Sequence, residues 1–363
     1  MKKKITCFLF TCMVLTFAKA QYLSLNKLEA KKLIALVNTE KNVKQLYLKM
    51  ERLANTALTE VPNPIDTIVS EGHLASDPKK IRTVKSLADL HKIYALAISY
   101  TITNKEIYKA KCIEYLMAWA TVNKGMGNPI NDTKLDPIFE AYDLLKDQIE
   151  PSSKASIETW MHQVADAEIA SPRYKSVNSK TLFNNWNSHR IKVVGSIAYL
   201  LNNKAYKTFT DSSLKKQILK NLNADGSGMD LEERDALHYH VYTLEPLLVI
   251  ATIIKRATGV DYFNFRSTSG SSIKNSVDFL LPFVTGQKTH QEYVNSTVAF
   301  DKQRAANKEP GFTIGANFQP IAAVEVISTA AYFSESYLKY VQDLLNTKSI
   351  YPNWPAILNA VRN

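Results

Sequence analysis

The chain has 363 residues and only three cysteines. Cys7 and Cys12 fall in the first twenty residues, which leaves Cys112 alone in the body, so no intramolecular disulfide is expected. A lone cysteine inside a helical pattern reads as a small buried hydrophobe. There is no His-x-x-x-His, no Cys-x-x-Cys and no Asp-rich loop, so no ordinary metal-ligand set is visible, and neither metal nor cofactor is expected. Gly-rich phosphate loops and Gly-x-Ser-x-Gly elbows are also missing. No stretch alternates with period two for long enough to build a sheet of any size. No basic run is interleaved with aromatics, which argues against nucleic acid as a partner. There is no low-complexity tract, exact repeat or composition shift to mark a domain boundary.

The N-terminus is more informative. Lys2, Lys3 and Lys4 precede an apolar run from Ile5 to Phe17, and Ala18-Lys19-Ala20 supplies the small-x-small pattern of a signal-peptide cleavage site before Gln21. The run is too short to span a bilayer as a stable helix. Lipid anchoring through Cys12 is disfavoured, because Phe10 and Thr11 stand where small residues are wanted. The expectation is a signal peptide over 1–20, a single domain over 21–363, and a periplasmic or secreted protein with no integral membrane segment after cleavage. The formal net charge of +11 falls to +7 once the leader, with four lysines and no acids, is removed. Outside the cytoplasm a positive protein attracts polyanions, and acidic polysaccharide is the leading candidate.

The body reads as helix after helix. Leu33, Leu36, Val37, Val43 and Leu46 recur at roughly helical spacing within 23–57. Leu87, Leu90, Tyr94, Ala97 and Ile98 do so within 84–103, and Ile107, Ala110, Ile113, Leu116 and Met117 within 105–121. Further helices are expected over 136–148, 152–170, 186–201, 212–221, 231–257 and 272–281, with two more near the C-terminus. The proline-bearing stretch 61–69, together with 70–80, reads as an ordered lid or a loop. Successive helices joined by short turns imply antiparallel pairs. Curved into a ring, such pairs make an all-α (α/α) toroid, or incomplete barrel, with a central cleft.

Two segments crowd polar groups onto otherwise apolar helices. The first is Phe183-Asn184-Asn185-Trp186-Asn187-Ser188-His189-Arg190. Asn184 or Asn185 suits a helix cap, and Asn185, Ser188 and His189 share a helical face. Amides there grip sugar hydroxyls or carboxylates, and the Trp186 indole stacks on a sugar face. The plainer reading is a cap and one satisfied histidine. The second segment runs from Asp230 to Tyr242. Leu237, Val241, Leu244 and Leu248 form its core stripe. Tyr239 and Tyr242 point off that stripe, and Arg234 and His238, four apart, share a face. Glu232 and Glu233 are well explained as a solvated first turn near the positive end of the helix dipole. His238-Tyr239-His240 is not. His238 and His240, two apart, point about 200° away from each other on a helix and cannot share one ion.

Read in order, these segments resemble the alginate lyase superfamily of α/α-toroid polysaccharide lyases. The resemblance also rests on the stretches 95–104, 108–119 with Asn128-Pro129, and Glu140-Ala141-Tyr142-Asp143-Leu144-Leu145. It implies β-elimination on a uronate polymer. In that chemistry an asparagine and an arginine engage the uronate carboxylate, a histidine or tyrosine removes the C5 proton, and a tyrosine protonates the leaving oxygen. Carried over by the resemblance, Asn185 matches the asparagine, Tyr239 the tyrosine and Arg234 the arginine, with His189 as the histidine. Asn184, Trp186, His238, His240 and Tyr242 would line the substrate. Trp186 stands where many relatives place histidine, and Arg234 lies five residues before the tyrosine rather than six or seven. The base, His189 or Tyr239, is therefore open at this point.

The chemistry agrees with that reading. C5 of a uronate becomes acidic only when its carboxylate charge is neutralised by cations or strong donors. A tyrosine, with an ordinary pKa of about 10, needs positive charge nearby to act as a base. Two other functions fit the same architecture. A glycoside hydrolase would draw on Glu232, Glu233 or Asp235, but hydrolysis needs carboxylates on opposite sides of the bond. A non-catalytic glycan-binding protein would use the same cleft.

Overall fold

The computed structural model describes residues 21–176 and 179–363; the expected signal peptide lies outside the described residues. Seventeen α-helices follow one another in the described chain. They are α1 (Lys27–Thr39), α2 (Lys41–Thr59), α3 (Pro78–Thr103), α4 (Glu106–Val122), α5 (Pro129–Asp132), α6 (Asp136–Leu145), α7 (Pro151–Ala170), α8 (Pro172–Lys175) and α9 (Asn185–Leu200). After these come α10 (Lys204–Asn221), α11 (Met229–Arg234), α12 (Leu237–Thr258), α13 (Ile273–Val284), α14 (Ala299–Ala306), α15 (Val324–Ala330), α16 (Leu338–Leu344) and α17 (Trp354–Arg362). The described residues hold no strand, only the isolated bridges Leu222–Gly228 and Gln291–Asn317.

The expected all-α toroid is the architecture found. Helices α3, α6, α9 and α12 pack side by side in sequence, and α15 follows α12. Contacts α15–α17, α17–α1 and α1–α3 carry the ring round to its start. Helices α2, α4, α7, α10 and α13 pack outside, each against a neighbour of that inner ring. One apolar cluster runs from Leu23 to Val361. The close approach of α9 to α12 depends on Gly195, where a Cβ would lie 2.3 Å from Ile250 Cδ1. That contact holds the two site-bearing helices side by side. Cys112 is buried, and burial pushes its thiol well above its ordinary pKa.

Two expectations need correction. The helix expected over 23–57 divides at Glu40, whose extended backbone ends α1 and begins α2. The helix expected over 231–257 is broken at Asp235, a left-handed residue with φ 47°. Arg234 and His238 therefore do not share one helical face. The break comes from tertiary contact: the Asp235 carbonyl accepts from Tyr293 N at 2.6 Å, and its carboxylate holds Asn295 N at 2.7 Å. Tyr293 is itself left-handed at φ 65°. Strained backbone of this kind persists only where the surroundings over-determine it. The stretch 60–77 is a loop. Asn131 Oδ1 accepts from Ser70 and Glu71, and Ala75 N reaches Glu309 Oε1 at 2.6 Å, which joins the loop to the segment after α14.

Candidate active site

Helix α9 opens with Asn184 as its cap, the side-chain oxygen accepting from Trp186 N. All sixteen residues of the helix are buried, so its polar first turns must find partners inside the protein. Asn185 donates its amide to Asp230 Oδ1 at 2.5 Å, and its backbone N–H joins the same oxygen. Asn221 donates to the other Asp230 oxygen. Gln217 donates to Ser188 and accepts from Asn187. Trp186 lies under the Arg173 guanidinium, 4.5 Å from the ring centre. Ser188 and His189 turn toward α12: Ser188 meets the Thr243 hydroxyl, and the His189 ring lies 4.3 Å from that of Tyr242. The His189 Nδ1 bonds Thr133, while its Nε2 is buried without a hydrogen-bond partner of good geometry. Burial, with Lys192 and Lys134 nearby, holds this imidazole well below its ordinary pKa and therefore neutral. The Tyr242 carbonyl pulls the other way. It lacks a helix donor because residue 246 is proline.

Around the start of α12 the polar groups converge instead of dispersing. The Tyr239 hydroxyl accepts from Arg234 Nη1 at 3.0 Å and from Arg304 Nη1 at 2.8 Å. The Arg234 guanidinium also lies 4.1 Å from the centre of the Tyr239 ring. Arg234 is fixed by Asp301 at 2.6 Å, and Asp301 in turn accepts from Ser296. Arginine can only donate, so the phenol oxygen takes two hydrogen bonds and its own proton is left to point elsewhere. Burial raises the Tyr239 pKa against the lowering effect of the two guanidiniums, so the phenol stays protonated at neutral pH. Tyr293 and Phe312 pack on the ring cluster from the 290–318 segment.

His238 sits beside Tyr239, with ring centres 5.2 Å apart, and is held neutral by burial and the two arginines. It walls a cavity of about 260 Å³ together with Glu292, Thr313, Asn317 and Gln319. Glu292 receives the otherwise unpaired N–H groups of Leu237 and His238 at the start of α12. The Tyr242 ring lies parallel to that of His238, with centres 6.5 Å apart.

The structure thus brings Tyr239, Arg234, His238 and Tyr242 together, with His189 packed behind Tyr242. Asn184, Asn185 and Trp186 have no hydrogen bond to that group among the described residues. His240 is turned away from it: Nε2 meets the Ser276 carbonyl at 3.0 Å, the ring packs on Phe279, and burial pushes its pKa down to about 4. Val241, expected in the core stripe, packs on the edge of the apolar cluster and also lines a cavity. The acids weighed for hydrolysis are already engaged: Glu232 with Asn223, Glu233 with Lys180 and Asp235 with Asn295. Among the described residues no three His, Cys, Asp or Glu side chains form a metal-holding group.

Sequence reasoning missed Arg304, Asp301, Phe312 and Glu292. The signal for the first two was readable as Asp301 and Arg304 three apart on one short helix, but nothing local ties that helix to Tyr239.

The family whose model matches this chain, over residues 35–290, is described as alginate lyase. Comparison with curated proteins gave no match. Among solved structures, an alginate lyase from Bacteroides ovatus superposes with a TM-score of 0.65 at 14% identity, covering 89% of this chain and 96% of that one. Alginate lyase A1-III from Sphingomonas species A1 gives 0.56 at 18% identity, covering 84% and 94%. A variant of alginate lyase A1-III complexed with tetrasaccharide gives 0.56 at 17%, covering 74% and 79%.

Proposed function

The chain belongs to the alginate lyase family and is a polysaccharide lyase, and on that premise we propose that it is an exported enzyme cleaving an acidic, uronate-containing polymer of the alginate type by β-elimination. The observation that carries the reading is the Tyr239 hydroxyl held between the Arg234 and Arg304 guanidiniums. The two cations supply what elimination needs, a field that neutralises the uronate carboxylate and makes C5 acidic. The C5–H bond then breaks, its electron pair forms the C4=C5 double bond, and the C4–O bond opens. Tyr239, protonated and with its O–H free of the arginines, gives its proton to the leaving oxygen.

Removal of the C5 proton falls to a neutral base. Two imidazoles are held neutral nearby, His238 at the cavity wall and His189 behind Tyr242. Separate His238→Ala and His189→Ala variants identify which of them carries the acid limb of the pH–rate profile. Export rests on the basic, apolar and small-residue pattern of residues 1–20.

The test is a panel of acidic polysaccharides, including mannuronate-rich and guluronate-rich alginate and a glucuronate polymer, assayed for new ultraviolet absorbance and for reducing ends. Both should rise together on at least one polyuronate. Reducing ends without new absorbance would mean hydrolysis and would overturn the proposal.

A further inference from the structure

Beyond Tyr242 the same face of α12 continues through Glu245 and walls a second cavity of about 440 Å³. Asp136 and Glu140 of α6, Ser196 of α9, Glu325 of α15 and Arg362 of α17 stand around it. Ala322 borders both this cavity and the one at His238, so the two are neighbours. Arg234 and Arg304 flank Tyr239, whereas the chamber is lined by four carboxylates and a single guanidinium, that of Arg362.

Among those carboxylates, Asp136 is paired with Lys192. Glu140, Glu245 and Glu325 have no cation within salt-bridge distance among the described residues, although Lys134 and Lys192 act on Glu245 from the side. Arg362 directs a guanidinium nitrogen to the Leu23 carbonyl. Burial and the Asp136 charge push Glu140 up to about 7 against the pull of Arg362 and Lys192, and burial with Glu245 raises Glu325, as expected of acids that crowd one another. Ser196, only 3% exposed, lines the same chamber, and its hydroxyl makes no hydrogen bond among the described residues. A hydroxyl on the chamber wall with no hydrogen bond to the described residues, beside several acceptors, suits the hydroxyl groups of a sugar. The unpaired acids do not suit a second carboxylate.

We infer that this chamber sets where the bound polymer stops: it accepts the hydroxyl edge of a chain end and repels the carboxylate of any further uronate, with Glu245 and Glu325 as the specificity-determining residues. The inference rests on the polyuronate reading of the Tyr239 site. A chain bound there extends toward the arginines and does not thread past Glu245, so affinity grows with oligomer length only until the chamber is reached.

The experiment measures calorimetric binding of oligomannuronates, from dimer to hexamer, to full-length Tyr239→Phe protein with and without Glu245→Gln and Glu325→Gln. The acidic chamber should give an affinity that levels off at a short length. The two glutamines should raise affinity for the longest oligomer over the shortest by roughly tenfold, the scale of relieving a like-charge contact. High salt should shrink that difference, which a purely structural effect of the substitutions would not do. Length profiles that coincide, a gain indifferent to salt, or no binding at all would each overturn the inference. Formation of unsaturated ends by the wild type is scored separately. Oligomers bound by this length rule but never cut would sink the lyase reading and leave the chamber standing.

Discussion

In the first turns of α9, Asn185 donates to Asp230, Ser188 meets Gln217 and Thr243, and every residue of the helix is buried. In the first turns of α12, Tyr239 accepts from two arginines carried by different segments, and His238 faces a cavity. The two stretches are similarly rich in amide, imidazole and aromatic groups. What separates them is where their hydrogen bonds go. On α9 the amides and the Ser188 hydroxyl are taken up by α10, α11 and α12 and fix the helix against them, so they position the site. On α12 several donors converge on one phenol oxygen whose proton is left over. Polar density on a helix marks a place that matters, and the partners decide whether it matters for scaffolding or for chemistry.

The sharpest way to break this contrast is Arg304→Ala. It removes one of the two donors to the Tyr239 hydroxyl, along with the packing of its guanidinium on Phe300 and Phe312, and turnover should fall by about a hundredfold, the usual scale for losing one preorganised donor to a reacting charge. Steady-state kinetics on a polyuronate, with circular dichroism to confirm folding, checks this. Turnover within a few-fold of wild type would show that Arg304 only packs.

His240 tests the buried side of α12. Its folded pKa is lowered to about 4 from an ordinary 6.5, so the folded state binds fewer protons than the unfolded chain. Stability is full above pH 6.5 and is lost as pH falls toward 4, by up to about 3 kcal/mol from this group. Denaturant titrations between those pH values should show the loss, and His240→Gln should reduce it. An equal loss in the variant would assign the acid sensitivity elsewhere.

Asn185→Ala probes α9. Asp230, buried, would lose one side-chain partner, which costs about 2 kcal/mol of stability. Turnover of the folded fraction should change little. Unchanged thermal stability with collapsed turnover would instead move Asn185 into direct contact with substrate.

Much of this molecule was legible before its structure. The apolar spacings located most of the helices to within a few residues, because burying a stripe at period 3.6 is a local demand, although α10 begins eight residues and α3 six residues before the expected start. The divergence of His238 and His240 followed from helix geometry alone. The break at Asp235 did not, because a left-handed aspartate is held there by Tyr293 and Asn295, some sixty residues downstream. Arg304 was out of reach for the same reason: its role is created by the packing of the 290–318 segment against the start of α12. The chamber at Glu245 needed three helices, α6, α12 and α15, to bring its acids together.

The central claim is that the Tyr239 hydroxyl transfers the proton, and Tyr239→Phe removes that hydroxyl while keeping the ring. The measurement is the initial rate of ultraviolet absorbance on the best polyuronate substrate for wild type and Tyr239→Phe, each checked by circular dichroism. The account predicts a folded variant, destabilised by at most about 1 kcal/mol, whose turnover is lower by about a hundredfold or more. A folded Tyr239→Phe enzyme that kept most of its rate would contradict it.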